Sequence, residues 1–380
     1  MFIDLTEEQH ALRARLRTYL QGILSSEERA VLLRERHGTV YRELVRRLGR
    51  DGWLGLGFPA RFGGGGLGPV EQQIFVNEAA RADVPLPAVT LQTVAPTLLA
   101  HGTPEQQEVF LPPILAGELH FAIGYTEPEA GTDLAALRTR AVRDGDVYVV
   151  NGQKTFTTGA HDADHLWLAC RTDPDASRHR GLSILIVDTA DPGYSWTPII
   201  TCDGAHHVNS VYLTDVRVPV SRRVGAENGG WRLLTTQLNH ERVMLGPAGR
   251  FGALIDRVGT WANGNDAPDV RRALARAAAC RRVNELLNWQ VAGAEPDAAD
   301  ASATKVFSSE RLLRHAQELE EVVWRHGDPG DPATAELLTW LDVQAKRNLV
   351  LTFGGGVNEI QREIIASAGL GLPRVPRERG

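Results

Sequence analysis

Two stretches of the sequence carry side chains that could do chemistry. In YTEPEAGTDLAALRTRA, residues 125–141, the hydroxyls of Tyr125, Thr126 and Thr132 surround the small residues Ala130 and Gly131. Small residues let a planar ligand approach the main chain, and the hydroxyls offer it hydrogen bonds; Thr and Gly in this order also make a plain turn. In LNHERVMLGPAGR, Glu241 lies among the apolar Leu238, Val243, Met244 and Leu245. A carboxylate drawn into apolar surroundings has a raised pKa and becomes a competent proton acceptor, whereas a lone helical Glu facing water is only a solvated surface residue.

A third stretch is notable for what it lacks. TFGGGVNEIQREII, residues 352–365, sets Gly354, Gly355 and Gly356 inside an otherwise apolar, helix-prone run. The remaining candidates carry less chemistry. His206-His207 has no Cys or carboxylate at ligand spacing, so no metal site is expected. Lys305 and Glu310 fall on one helical stretch and read as a solvated face. RFGGGGLGP has the composition of a phosphate loop, but no strand leads into it and no Gly-Lys-Ser/Thr follows, so it reads as a connection.

The elements that must position these groups follow from two changes of period. Thr6 with Gln9 makes a capping box, and Leu12, Leu16, Tyr19, Leu20 and Ile23 recur on one helical face. Helical stretches continue to about residue 118. From about 119 the period shortens, and Asn151-Gly152 in DVYVVNGQKTFTTG predicts a hairpin turn between two strands, because such turns need positive φ at both central residues. HLWLACRT, LSILIVDT and SVYLTDVRVP read as further strands. Helical period returns at Trp231 through TTQLNHERVMLGPAGRFGALIDRV and two later stretches, with WANGNDAPDV as a linker. The expectation is an α+β multidomain chain: an N-terminal helical domain over 1–118, a middle β domain over 119–230 and a C-terminal helical domain over 231–380.

Composition excludes several classes. The chain has 380 residues, 43% hydrophobic and 23% charged, with no apolar run long enough to span a bilayer. Three scattered cysteines, Cys170, Cys202 and Cys280, suit buried thiols better than disulfides or zinc. A net charge of −6 without a basic block gives nucleic acid no footing. The N-terminal segment mixes acids with arginines, unlike a signal or transit peptide, so a soluble cytoplasmic protein is expected.

YTEPEAGTDLAALRTRA, NGQKTFTTGAHDADHLWLACRT and VYLTDVRVPVSRRVGAENGGW, in this order, resemble the acyl-CoA dehydrogenase family, and the resemblance runs over essentially the whole chain. It implies an N-terminal helical domain, a middle β-barrel and a C-terminal four-helix bundle, with FAD between barrel and bundle. It implies flavin contacts at Tyr125, Thr126, Thr132, Phe156 and Thr158. Phe156 stands where the family usually has Trp, and by periodicity alone it is equally a core aromatic. Desaturation of an acyl thioester requires a base beside the α-carbon, with hydride leaving the β-carbon. Most of the family carries that Glu in a YEGT string before the last helices, and here the matching residue is Gly355. Isovaleryl and long-chain types instead place Glu before Arg on the helix after the barrel, which implies Glu241, followed by Arg242, as catalytic residue.

The strings that hold a neighbour's FAD adenine in homotetrameric members, Arg-x-x-Phe-Gly and Gln-x-x-Gly-Gly-x-Gly, have no counterpart here. Their absence resembles the actinobacterial α2β2 steroid side-chain acyl-CoA dehydrogenases. That resemblance implies a second, different subunit, a cholesterol-derived substrate such as 3-oxopregn-4-ene-20-carboxyl-CoA, and electron-transfer flavoprotein as acceptor. A non-catalytic scaffold subunit that completes a partner's FAD site is the alternative.

Overall fold

The computed structural model describes residues 4–244, 246–263, 267–293 and 297–373, without the side chains of 239–244. Six helices come first: α1 Glu7–Gly22, α2 Ser26–Arg34, α3 Thr39–Arg50, α4 Pro69–Arg81, α5 Ala95–His101 and α6 Pro104–Leu115. Strands follow as β1 Phe121–Gly124, β2 Arg140–Asp144, β3 Val147–Thr158 and β4 His165–Arg171. Then come β5 Leu182–Asp188, β6 Tyr194–Ile200, β7 His206–Pro219 and β8 Arg223–Val224. The chain continues as α7 Gly230–Met244, α8 Gly249–Trp261, α9 Pro268–Ala292, α10 Ala298–His326, α11 Pro332–Asn348 and α12 Asn358–Ile364. Contacts divide it into one unit of Ser26–Leu67 with Leu86–Leu238, and another of Met1–Ser25, Gly68–Pro85 and Asn239–Gly380.

The first unit is built on an eight-stranded sheet in the order β6-β7-β3-β2-β4-β5-β8, with β1 parallel to β4. β5 is buried from Leu182 to Val187, the pattern of a strand covered on both faces. Tyr148, Leu166, Leu168, Leu185 and Val211 meet in the core beneath it. The hairpin expected at Asn151-Gly152 lies elsewhere. β2 and β3 turn at Gly145-Asp146, where Asp144 pairs with Val147 and Gly145 has φ 61°. Asn151-Gly152 instead lies inside β3 at a bulge against β7, where the side chain of Asn151 donates to Asp215 Oδ1 at 2.9 Å and accepts from its main-chain N–H at 3.0 Å. The Gly-Asp pair six residues earlier was the true turn signal, and the Asn-Gly pair bends a strand instead.

The second unit is helical. The Thr6 cap of α1 is present, Thr6 Oγ1 accepting from Gln9 N at 3.3 Å and Gln9 Oε1 from Thr6 N at 3.0 Å. Leu12, Leu16 and Leu20 form its buried face, and Arg17 grips Glu78 of α4 through two bonds of 2.7 and 3.0 Å. The helical stretch after Trp231 is broken at Pro247, which has no N–H to donate, so α7 ends at Met244 and α8 begins at Gly249. Of the three cysteines expected to be buried only Cys170 is; Cys202 is exposed and Cys280 half-buried. Among the described residues no helix is long and apolar enough to cross a membrane.

Candidate active site

The loop after β1 is fixed by a charge pair. Lys154 of β3 is fully buried, and its Nζ donates to Glu127 Oε1 at 2.8 Å and to the carbonyl of Tyr125 at 3.2 Å. Glu127 also accepts from the main-chain N–H groups of Arg138 at 2.6 Å and Thr139 at 2.8 Å. Burial alone would raise its pKa, but the Lys154 charge and these donors outweigh burial and hold the carboxyl below its ordinary range. Lys154 is pushed down by burial, against the pull of Glu127.

On this loop Tyr125 is buried, and its phenol donates to Gln237 Oε1. Gln237 in turn donates to Thr97 Oγ1 at 3.0 Å, so the Tyr125 ring belongs to the core and only its main chain is left for a ligand. Thr126 is half-buried, Thr132 and Thr158 are exposed, and their hydroxyls make no hydrogen bond to any other described residue. Nothing crowds Gly131, where an added Cβ would have only Thr126 Cγ2 nearby, at 3.8 Å.

Phe156 does not join the core. Its side chain is 63% exposed, and its backbone sits at φ 54°, unusual for a residue with a side chain. The cause is a second bulge between Lys154 and Thr157 against β7. Three contacts hold the bulge: Thr155 N donates to Thr126 O at 2.8 Å, Asn209 Nδ2 to Thr157 O at 3.2 Å, and Gly159 N to His207 O at 3.0 Å. Buried Thr157 Oγ1 has no hydrogen-bond partner among the described residues. An outward aromatic ring, three unengaged hydroxyls and an uncrowded glycine are what a planar ring with a polar edge would use, so the residues fit an isoalloxazine.

A histidine group supports this bulge, and of its members only His206 stands out in the sequence, as half of the His206-His207 pair. His161 stacks on His206 at 4.0 Å between ring centroids, and Asn209 bridges them, 3.0 Å from His161 Nδ1 and 2.7 Å from His206 Nε2. His37 packs 5.0 Å from the His161 ring and against Gly159. Burial, and then His161, push His37 down to a pKa of about 3. These residues come from three distant segments, so no local pattern announces them.

In the helical unit, Glu241 belongs to the last turn of α7, and its side chain lies outside the described residues. The glycine loop is clear: Gly355 has φ 65° and Gly356 φ 94°, left-handed conformations that glycine adopts without strain. Lys305, expected on a solvated face, is fully buried. Its Nζ donates to Gly356 O at 2.6 Å, Asn358 Oδ1 at 2.7 Å and Thr352 O at 3.3 Å. Glu310 is half-buried and accepts from Arg362 at 2.6 Å and Asn358 Nδ2 at 3.1 Å. Lys305 and Glu310 do lie on one helix, α10, but the solvated face expected there fails at Lys305, because the helical pattern could not reveal that α12 and the glycine loop pack against it.

Family models for the acyl-CoA dehydrogenase N-terminal, middle and C-terminal domains match residues 6–118, 122–216 and 228–370. The chain belongs to the acyl-CoA dehydrogenase family and is an acyl-CoA dehydrogenase. It is 66% identical to acyl-CoA dehydrogenase FadE29 of Mycobacterium tuberculosis, over 99% of this chain and 100% of that protein. Among solved structures it resembles a chain of the Tcur3481-Tcur3483 steroid ACAD, at 45% identity and TM-score 0.91 over 99% of this chain and 100% of that one. It also resembles a chain of the ChsE4-ChsE5 complex from Mycobacterium tuberculosis, at 46% identity and TM-score 0.89 over the same shares.

Proposed function

We propose that this chain is the base-carrying subunit of an FAD-dependent heterotetramer that dehydrogenates a steroid side-chain CoA thioester, such as 3-oxopregn-4-ene-20-carboxyl-CoA, between its α and β carbons. The observation that carries the reading is the left-handed Gly355, a position with no side chain where most of the family keeps its carboxylate. With that position empty of charge, Glu241 of α7 is the base and takes the α-proton onto its carboxylate. FAD, when bound, supplies the acceptor for the hydride that leaves the β-carbon. Phe156 provides the wall for its ring, and the hydroxyls of Thr126, Thr132 and Thr158, with the main chain at Tyr125, provide its polar contacts. Hydrogen bonding to the thioester carbonyl lowers the cost of removing the α-proton.

The steroid substrate and the mixed assembly are supported by the two similar structures, a steroid ACAD and a two-protein complex. The missing adenine-end strings favour the same assembly, with a second subunit supplying those contacts and electron-transfer flavoprotein receiving the electrons in the cytoplasm. The three-domain division at 118 and 230 goes with this reading. The test is Glu241→Gln in the flavin-loaded complex. Turnover should fall at least about a hundredfold, as for loss of a general base, with flavin content unchanged. Undiminished turnover would leave the scaffold role as the better account.

A further inference from the structure

A base in the last turn of a helix has a placement problem. Helix ends fray, the carbonyls of the last turn lack helical partners, and here a Gly-Pro pair follows one residue beyond the helix, with Pro247 unable to donate. Proton transfer tolerates little looseness, since a displacement near 1 Å can cost about a hundredfold in rate. The end of α7 therefore needs an external anchor.

Such an anchor comes from α9. Asn284 and Asn288, one turn apart and both fully buried, donate from Nδ2 to the single carbonyl of Gly246 at 2.8 and 3.2 Å. Asn288 Oδ1 accepts from Ala248 N at 3.1 Å, so one amide side chain spans both sides of Pro247. The approach from α10 is equally close: a Cβ at Gly246 would stand 2.1 Å from Ser308 Oγ. Buried amides cost stability unless their hydrogen bonds are made, and Asn284 Oδ1 has no partner among the described residues. Two apolar side chains would fill this helix face with less penalty, so the face is built to hold Gly246 in place.

We propose that Asn284 and Asn288 are positioning residues for Glu241: their clamp on the Gly246 carbonyl fixes where α7 ends, and thereby the reach of the base toward the substrate α-carbon. This rests on the reading of Glu241 as base. Neither asparagine touches the reacting atoms, and each acts through the main chain that joins Gly246 to Glu241.

The test uses the flavin-loaded complex carrying Asn284→Ala, Asn288→Ala or both, alongside Glu241→Gln. The probe is 3-oxopregn-4-ene-20-carboxyl-CoA with hydrogen or deuterium at C20, the α-carbon, and the readout is the rate of flavin bleaching in stopped flow. The expected result for each single variant is a fall of about tenfold to a hundredfold in the bleaching rate. The isotope effect at C20 should rise, while flavin content and substrate dissociation constant stay within about twofold. If the double variant does not assemble, the single variants carry the test. An unchanged bleaching rate, or a rate that falls only with flavin content and substrate affinity, overturns the clamp. If Glu241→Gln bleaches normally, the base assignment itself has failed; if Glu241→Gln is inactive while the asparagine variants are normal, only the clamp has failed.

Discussion

Two fully buried lysines hold two loops of this enzyme, and they do it by different electrostatics. Lys154, in the sheet unit, meets a carboxylate, Glu127, which also gathers the main-chain donors of Arg138 and Thr139. Lys305, in the helical unit, is set against the carbonyls of Thr352 and Gly356 and the amide oxygen of Asn358. The first arrangement fixes a loop that offers hydroxyls to a planar ring. The second fixes a loop that offers no side chain at all. Where the loop presents groups, a lysine-carboxylate pair sets its position; where it presents none, a lysine draws the carbonyls of Thr352 and Gly356 inward.

The difference predicts unequal costs of removal. Lys154→Met should destabilise by about 3–5 kcal/mol in chemical denaturation, because it strands the Glu127 charge in a buried site. Adding Glu127→Gln should recover a substantial part of that loss, since the stranded charge is then gone. Lys305→Met removes the bonds to Thr352 O, Gly356 O and Asn358 Oδ1, which are neutral acceptors, so a loss of about 2–3 kcal/mol is expected from these three contacts. If Lys305→Met proves the more damaging of the two, the contrast between a lysine set on a carboxylate and one set on carbonyl and amide oxygens is wrong.

Acid should separate the two regions as well. His37 packs on Gly159 just past the Phe156 bulge, and it faces His161, His206, His207 and Asp162. Its pKa is about 3 in the fold against 6.5 in the open chain, so between those values the unfolded state binds the extra proton. Stability therefore rises with pH across this window and is lost on acidification below about 6.5, by at most about 1 kcal/mol per pH unit after allowance for its partial exposure. The described acceptors of Lys305 do not titrate in this range. A pH series of melting temperatures should fall between pH 6.5 and 5 and be flattened by His37→Phe. An equal slope in the variant would exclude His37 as the source.

What the sequence disclosed depended on how local the signal was. The change from helical to strand period, the Thr6 cap and the glycine loop are patterns within a few residues, and the structure has them. Asn151-Gly152 misled because the same dipeptide serves a tight turn and a bulge, and only pairing with β7 and the bond to Asp215 distinguish the two. Phe156 was ambiguous for the same reason: alternation assigns a face, and a bulge with positive φ reverses it. Lys305 and Gly356 are 51 residues apart, so their contact exists only once α10 and α12 pack. The hydroxyl set around Gly131 rests on family resemblance, since periodicity alone reads the same stretch as a plain turn.

The smallest effect probes the glycine loop directly. Gly355 has φ 65°, and an L-residue with a Cβ pays for that conformation, so Gly355→Ala should cost about 1 kcal/mol in stability. Such a loss is too small to unfold the chain and leaves activity readable. If the empty position exists to admit a bulky acyl group, Gly355→Ala should lower kcat/KM for a ring-bearing acyl-CoA more than for a straight-chain one. A uniform loss for both would mean that the glycines serve the turn alone. In that case Lys305 would be holding a backbone shape with no bearing on substrate choice, and the contrast with the hydroxyl-bearing loop on Lys154 would reduce to two ways of tying down a turn.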